Sequence, residues 1–594
     1  MQNAETVLRV IHDRGREGLP LERVYRQLFN PELFLMAYGR LYRNTGAMTK
    51  GITDETVDAM SQAKIARIIA DLREERYRWS PVRRVEIPKA NGKTRPLGIP
   101  TWSDKLLQEV IRLLLSAYYE PQFSTHSHGF RPKRGCHTAL LEVVHTGLGT
   151  KWFIEGDIKG CFDNIDHAVL TTILGERIHD NRFLRLVNNL LKAGYGQWWR
   201  YHPTHSGTPQ GGVISPLLAN IYLDRLDQFV ETTLRPAFTR GESRRSNPAW
   251  ARAARQAKYN RMQGRLDEAR RWDMVKRQLP SVDPDDPDFR RLRYVRYADD
   301  FLLCFIGPKR EAEQVKAQLK QFLSQTLKLE LSEEKTVITH AVSQAAKFLG
   351  YEIQSQHCDT KLHKKRRSVN GVLSLKLPPD VIDTACTRYM RRGKPVHRTR
   401  LTMDSDYDIV KQYQWQYAGL VQYYALAQNI GTLGKLRWVM ETSLLRTLAA
   451  KHKTTSRKLW RKHKSTVQTE HGPRRCLAVT VPRPGKEPLV ARFGGLPLRR
   501  KKTAVLQDHM RIYLPVRTEL VQRLLADECE VCGSTEQVEV HHVRKLADLK
   551  ARGRKELPSW AKLMIARQRK TLVLCHACHV AVHAGQPLPQ AKSR

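Results

Sequence analysis

Apolar residues recur at helical spacing through the first part of the chain: Val24 and Leu28, then Leu33, Leu35 and Met36, then Ile65, Ile68, Ile69 and Leu72. A stripe of that period is hidden from water only when helices pack on one another. Residues 1–80 therefore read as an N-terminal helical extension. From 82 to 100 the pattern changes to strand-like alternation, VRRVEIPKANGKTRPLGIP, folded about Asn91-Gly92, which predicts a β-hairpin with a basic tip. Residues 104–119 form an amphipathic helix, while WFIEGDI (152–158) and the stretch 292–306 read as short buried strands. Strands with acidic ends set among helices indicate a multidomain α+β protein. The stretch 236–290, rich in Ala, Gln, Arg and Asp, reads as a solvated helical insertion. Helical periodicity returns from about 375 to 465; the part that follows, with PRPGKEP, FGG and RRKK, looks less regular. The expected divisions are 81–360, 361–470, 471–525 (a linker or small DNA-contacting region) and a metal module at 526–594.

Charge narrows the partner. Against 59 acidic residues stand 102 Lys and Arg, a formal charge of +43 over 594 residues. Such a field favours a long polyanion, because every neutralised phosphate releases a counterion. No apolar run is long enough to span a bilayer and no signal sequence opens the chain, so a cytoplasmic protein acting on nucleic acid is expected, without a membrane partner. Ten cysteines in so long a chain do not make a disulfide scaffold; four of them form two C-x-x-C pairs near the C-terminus.

Three carboxylates stand out. Asp157 ends the apolar run FIEGD, and Asp299 and Asp300 lie between YVRYA and FLLCF. Carboxylates in such company are costly unless something compensates them. Each alone also fits a structural ion pair. Together they suit phosphoryl transfer by two Mg²⁺ ions, since hard cations take carboxylate oxygens held on rigid strands.

The ordered motifs carry a family resemblance. IPKANGKTRPLGIPT (87–101), SHGFRPKRGCHTAL (127–140), GDIKGCFDNIDH (156–167), GTPQGGVISPLLANIYLD (207–224), YADD (297–300), LSEEKT (331–336) and FLGYEI (348–353) resemble successive blocks of group II intron reverse transcriptases. The resemblance implies a right-hand polymerase with fingers and palm in 81–360, in which Asp157, Asp299 and Asp300 hold Mg²⁺. It further implies that Lys89 and Arg95 contact the triphosphate of an incoming dNTP, that Phe162 excludes a ribose 2′-hydroxyl, and that Gln210 lies by the nucleotide or template. YAGLVQYYALAQN and METSLLRTLAAKHK resemble domain X, the thumb and maturase region. Its rings Tyr413, Trp415, Tyr417, Tyr423 and Tyr424 read first as core, with RNA stacking as the alternative. Lys364, Lys365, Arg366, Arg367, Arg391, Arg392, Lys451 and Lys453 are candidates for intron RNA phosphates.

Near the C-terminus, Cys529, Cys532, Cys575 and Cys578 suit a tetrahedral structural Zn²⁺. HHVRK and CHACHVAVH resemble an HNH nuclease of ββα-metal fold. By that resemblance His542 is the general base, while His541, His579 and His583 hold one divalent ion, expected to be Mg²⁺. His579 and His583 share a helix face at i, i+4, and the alternative is that some of these histidines buttress the zinc. Thr571 stands where the family has its middle Asn. The resulting expectation is a group II intron-encoded protein that copies RNA into DNA, assists splicing and nicks target DNA, in a ribonucleoprotein with intron RNA. The rival expectations are a splicing factor with vestigial enzymatic sites and a reverse transcriptase of a defence or diversity-generating system.

Overall fold

The computed structural model describes every residue except 1, 45, 89–91, 93, 198, 199, 203, 205, 208–210, 359, 360, 364, 365, 368, 484, 507–517, 551–556, 568, 587 and 589–594. Lys89, Gln210, Lys364 and Lys365 thus lie outside the described residues. Among the described residues no helix is long and apolar enough to cross a membrane.

The centre is a four-stranded antiparallel sheet in the order Arg291–Tyr297, Asp300–Ile306, Trp152–Asp157, Ile338–His340. The strand Asp300–Ile306 reads as a continuous apolar run, FLLCFI, because both of its faces are covered. Phe301, Leu303 and Phe305 enter one core with Ile154, Leu292 and Tyr294; Leu302 and Cys304 enter the other with Phe153 and Val295. Each such side chain stabilises the fold by about 1.5–3 kcal/mol on full burial.

The first core joins the sheet to the N-terminal extension (Ala4–Arg16, Pro31–Leu41, Gln62–Arg73) and to helices Trp102–Tyr119 and Ser215–Phe229. The second joins it to Cys136–Thr146 and to the helices Asp406–Tyr423 and Leu433–Lys451. A second four-stranded sheet contains the hairpin Val82–Pro88 and Thr94–Ile99, extended by Tyr195–Gln197 and Arg200–His202. The insertion contains a helical pair, Pro248–Met262 and Leu266–Gln278.

One expectation is corrected. Much of the stretch expected to be irregular is a three-stranded antiparallel sheet, Lys464–Thr469, Gly472–Arg483 and Lys486–Gly494. Leu477, Val479, Ala491 and Phe493 bury it against the helices Asp406–Tyr423 and Leu433–Lys451, while its other positions are largely polar and mask the strand alternation.

The C-terminal module is a ββα unit, Val538–His542, Thr571–Cys575 and His576–Ala584, with a small core of its own around Trp560, Met564 and Leu574. It is not isolated from the rest. Met60–Ser61 of the extension pairs antiparallel with Val538–His542, making a third strand of the C-terminal sheet.

Candidate active sites

The palm carboxylates meet because the ladder aligns them. Asp157 ends its strand directly opposite Asp300, the first residue of the neighbouring strand, and Asp299 occupies the two-residue turn before it. Ala298 takes the left-handed conformation (φ 57°) that such a hairpin turn requires. Gly129 backs this turn so closely that a Cβ there would lie 2.3 Å from the Ala298 amide nitrogen. Gly156, next to Asp157, lies under the Phe301 ring, which a Cβ would meet at 2.1 Å. Burial raises the Asp299 carboxyl above the usual range, helped by the Asp157 charge. Burial, then the charges of Asp299 and Asp157, raises Asp300. A cluster that resists full ionisation is poised to take cations. Lys335, from LSEEKT, donates to Asp157 Oδ2 at 2.9 Å.

Arg296 was not singled out by its sequence context, yet it braces the turn. Fully buried, it donates to both Asp227 oxygens at 2.7 and 2.5 Å, to Ser127 Oγ at 2.9 Å, to Asn220 Oδ1 at 3.2 Å and to the Ala298 carbonyl at 2.8 Å. Tyr294 adds a donor to Asp227 at 2.8 Å. Its strand, RLRYVRY, holds three arginines, and the signal that could have found Arg296 is the alternation that puts it on the face of Leu292 and Tyr294, where only a paired charge is tolerable.

Arg95, on Thr94–Ile99, extends its positive charge toward Asp299 and works against the rise of that carboxyl. Phe162 sits on the short helix Cys161–Asn164, its ring edge-on to Phe130 at 6.4 Å. In the maturase helices Tyr413, Tyr417 and Tyr424 are buried in the second core, as first read, and Tyr423 is partly buried against it. Trp415, by contrast, is 67% exposed, with the Lys411 ammonium 4.9 Å from its ring centre.

In the C-terminal module the four cysteine sulfurs all lie within 4.8 Å of one another, with Cys532 and Cys575 Sγ atoms 3.6 Å apart. Four thiolates around Zn²⁺ at about 2.3 Å span edges of about 3.8 Å, so the set fits that ion.

A second cluster joins His541, His579 and His583 with Asp58, a residue of the extension that sequence context did not mark. His579 Nε2 lies 3.1 Å from both His541 Nδ1 and His583 Nε2. Asp58 Oδ2 is 2.8 Å from His583 Nε2, and Oδ1 is 3.3 Å from His579 and 3.5 Å from His541. Ligands at about 2.0–2.1 Å from a tetrahedral ion stand about 3.3 Å apart, so these donors fit a divalent ion. Glu539 accepts from His579 Nδ1 at 2.6 Å, turning its Nε2 lone pair toward the others. Burial opposes the His579 imidazolium, but Asp58 and Glu539 outweigh it and lift the group to about 9. Burial pushes His541 down to about 4 and His542 to about 3, so the protein by itself keeps both imidazoles neutral at pH 7. His542 Nε2 is 2.9 Å from the Tyr38 hydroxyl, and its backbone N–H donates to Asp58 at 2.7 Å. Thr571 lies opposite His542 in the ladder and accepts from Arg523 at 2.8 Å.

Comparison with known proteins agrees with this division of chemistry. Residues 87–353 match the reverse transcriptase (RNA-dependent DNA polymerase) family, 382–471 the type II intron maturase family, and 529–579 the AI2M/AI1M-like HNH endonuclease family. The group II intron-encoded protein LtrA of Lactococcus lactis subsp. cremoris is 39% identical over 98% of this chain and 99% of its own. The 91 kDa protein in the cob intron of Schizosaccharomyces pombe is 33% identical over 94% of this chain and 69% of its own. Protein YkfC of Escherichia coli is 34% identical over 57% of this chain and 84% of its own. With a palm sheet that aligns three carboxylates, a maturase region on its far face, a thiolate-stapled ββα module and a relative matching nearly end to end, the chain belongs to the group II intron-encoded proteins, combining reverse transcriptase, maturase and HNH endonuclease.

Proposed function

We propose that Asp157, Asp299 and Asp300 hold two Mg²⁺ ions for DNA synthesis on an RNA template, and the observation that carries this is the register pairing of Asp157 with Asp300 across one ladder. Bound there, such ions activate the primer 3′-hydroxyl and steady the leaving pyrophosphate. Arg95 steadies the dNTP triphosphate, with Lys89 and Gln210 assigned beside it by motif, and Phe162 presents its ring to the sugar. At the second site His542 takes the proton from the attacking water, and His541, His579 and His583 hold one divalent ion. The family resemblance implies Mg²⁺ there; three imidazoles suit a transition ion as well. The four cysteines hold Zn²⁺ and fold the module that presents these groups.

The modules then serve one pathway. The region 361–470 supports intron splicing through RNA contacts, in a cytoplasmic ribonucleoprotein. The nuclease in 526–594 nicks target DNA, and the palm within 81–360 extends the freed 3′ end along the intron RNA. The extension 1–80 supports both catalytic regions, and the surface of 471–525 is available to DNA.

The test is primer extension on an RNA template, comparing the unmodified protein with Asp299→Ala. Loss of several kcal/mol of ion-mediated stabilisation predicts a rate lower by on the order of 10³-fold. Equal activity of the two would overturn the assignment, and no activity in either with RNA binding intact would favour a splicing factor with vestigial sites.

A further inference from the structure

Asp58 is separated from the nuclease histidines by most of the chain, yet it completes their cluster. We propose that Asp58 is a fourth protein ligand of the nuclease ion and a latch: while it is seated, protein fills the positions around the ion, and a DNA phosphate gains access only by displacing it. This rests on the assignment of His541, His579 and His583 as ion ligands.

Three observations carry the inference. First, one Asp58 oxygen lies 2.8 Å from His583 Nε2 and the other 3.3 and 3.5 Å from His579 and His541, so the carboxylate caps the face toward which the imidazole nitrogens converge. Closed sets of four protein donors mark structural metal sites, whereas catalytic sites keep one position open. With Asp58 in place this site has the closed form.

Second, the same segment of chain restrains the base. Asp58 accepts the His542 backbone N–H, and Tyr38 of the extension occupies His542 Nε2, the nitrogen that would otherwise be free for a water. His542 is only 5% exposed. Beside it, between the extension and the nuclease, opens a cavity of about 600 Å³ whose wall includes Arg43, Arg523, Arg544, Lys545, Arg569 and Lys570. That charge suits a phosphodiester backbone. The cavity thus reaches His542, while Asp58 and Tyr38 of the extension hold the ion cluster and the base nitrogen.

Third, the latch is held by little backbone. Met60–Ser61 is a two-residue strand, reinforced by the Ala59 N–H donating to the Val540 carbonyl at 3.0 Å. Ala59 adopts φ 59°, a left-handed conformation unfavourable for a residue with a Cβ. Release of this short segment withdraws Val57 and Met60 from the first core, a cost the relieved strain partly offsets, and exposes both Asp58 and the nuclease strand.

The test uses the full-length protein with its zinc bound, in an Asp299→Ala background that silences the palm site, and Mn²⁺ as the probe. Asp58→Asn is chosen because its amide oxygen still accepts from His542. Mn²⁺ affinity, followed by electron paramagnetic resonance without DNA, is expected to fall by about tenfold or more, as for loss of a supporting ligand. Mn²⁺ is also expected to protect the segment around residues 42–60 from limited proteolysis in the Asp58 protein and not in the Asn variant. With intron RNA bound and Mn²⁺ saturating, single-turnover nicking of target DNA should rise several-fold in the variant. Unchanged Mn²⁺ affinity, or slower nicking at saturation, would overturn the latch. His579→Ala separates the two levels: if it too leaves Mn²⁺ binding unchanged, the histidine assignment itself fails.

Discussion

The palm gathers its three carboxylates on one antiparallel ladder, whereas the nuclease cluster is assembled from a strand, a helix and a distant loop of the extension, whose backbone pairs with that strand only over Met60–Ser61. In the palm, a one-residue slip would turn Phe301, Leu303 and Phe305 into the wrong core, so burial on both faces locks the register that pairs Asp157 with Asp300. The nuclease module has a small core and leans on its four thiolates and on the first core through Leu520, Val538 and Val573. A site carried by a ladder is held as rigidly as the domain itself. A site shared between separate segments can be opened by moving one of them.

Metal removal should break the comparison most sharply. Stripping Zn²⁺ with a chelator and then restoring Mg²⁺ is expected to unfold the C-terminal module, whose structural ion contributes on the order of 10 kcal/mol, while primer extension survives. Parallel loss of both activities would show that the modules do not fold separately. In the palm, Arg296→Met leaves Asp227 buried and without its guanidinium partner, which should cost about 3–5 kcal/mol in denaturant unfolding. A joint Arg296→Met and Asp227→Leu replacement should recover part of that loss, and its failure to do so would assign the effect to the Ala298 contact instead.

Smaller effects sharpen the nuclease half. Glu539→Gln removes the carboxylate that orients His579 and should weaken ion binding by about 10- to 100-fold, with the palm's Mg²⁺ dependence unchanged. Thr571→Val removes the acceptor for Arg523, which keeps Glu530 as a partner; thermal unfolding of the module should shift by about 1 kcal/mol. A much larger loss would mean that Thr571 substitutes structurally for the family's Asn.

Much of both sites was legible before any coordinates. The run FLLCF reads as a short buried strand, which the fold covers on both faces, and YADD at its start puts two carboxylates at the strand end. Paired C-x-x-C motifs suited a four-thiolate site by their spacing, and the i, i+4 spacing put His579 and His583 on one helix face, while their reading as ion ligands came from the resemblance to HNH nucleases. The sheet formed by 464–494 was missed because only a few of its side chains are apolar and buried. Within one helix, Tyr413 and Tyr417 turn inward and Trp415 outward, a distinction that depends on which neighbours cover each face.

What the sequence determined by itself was therefore local: periods, turn residues and ligand spacings encoded within a few positions of one another. Only the tertiary structure decided that Arg296 meets Asp227, that Tyr38 meets His542 and that Asp58 reaches the nuclease histidines. A single charged or polar residue in a loop or strand carries no periodic signal, and its partner is set by how separate elements pack rather than by anything in its own neighbourhood.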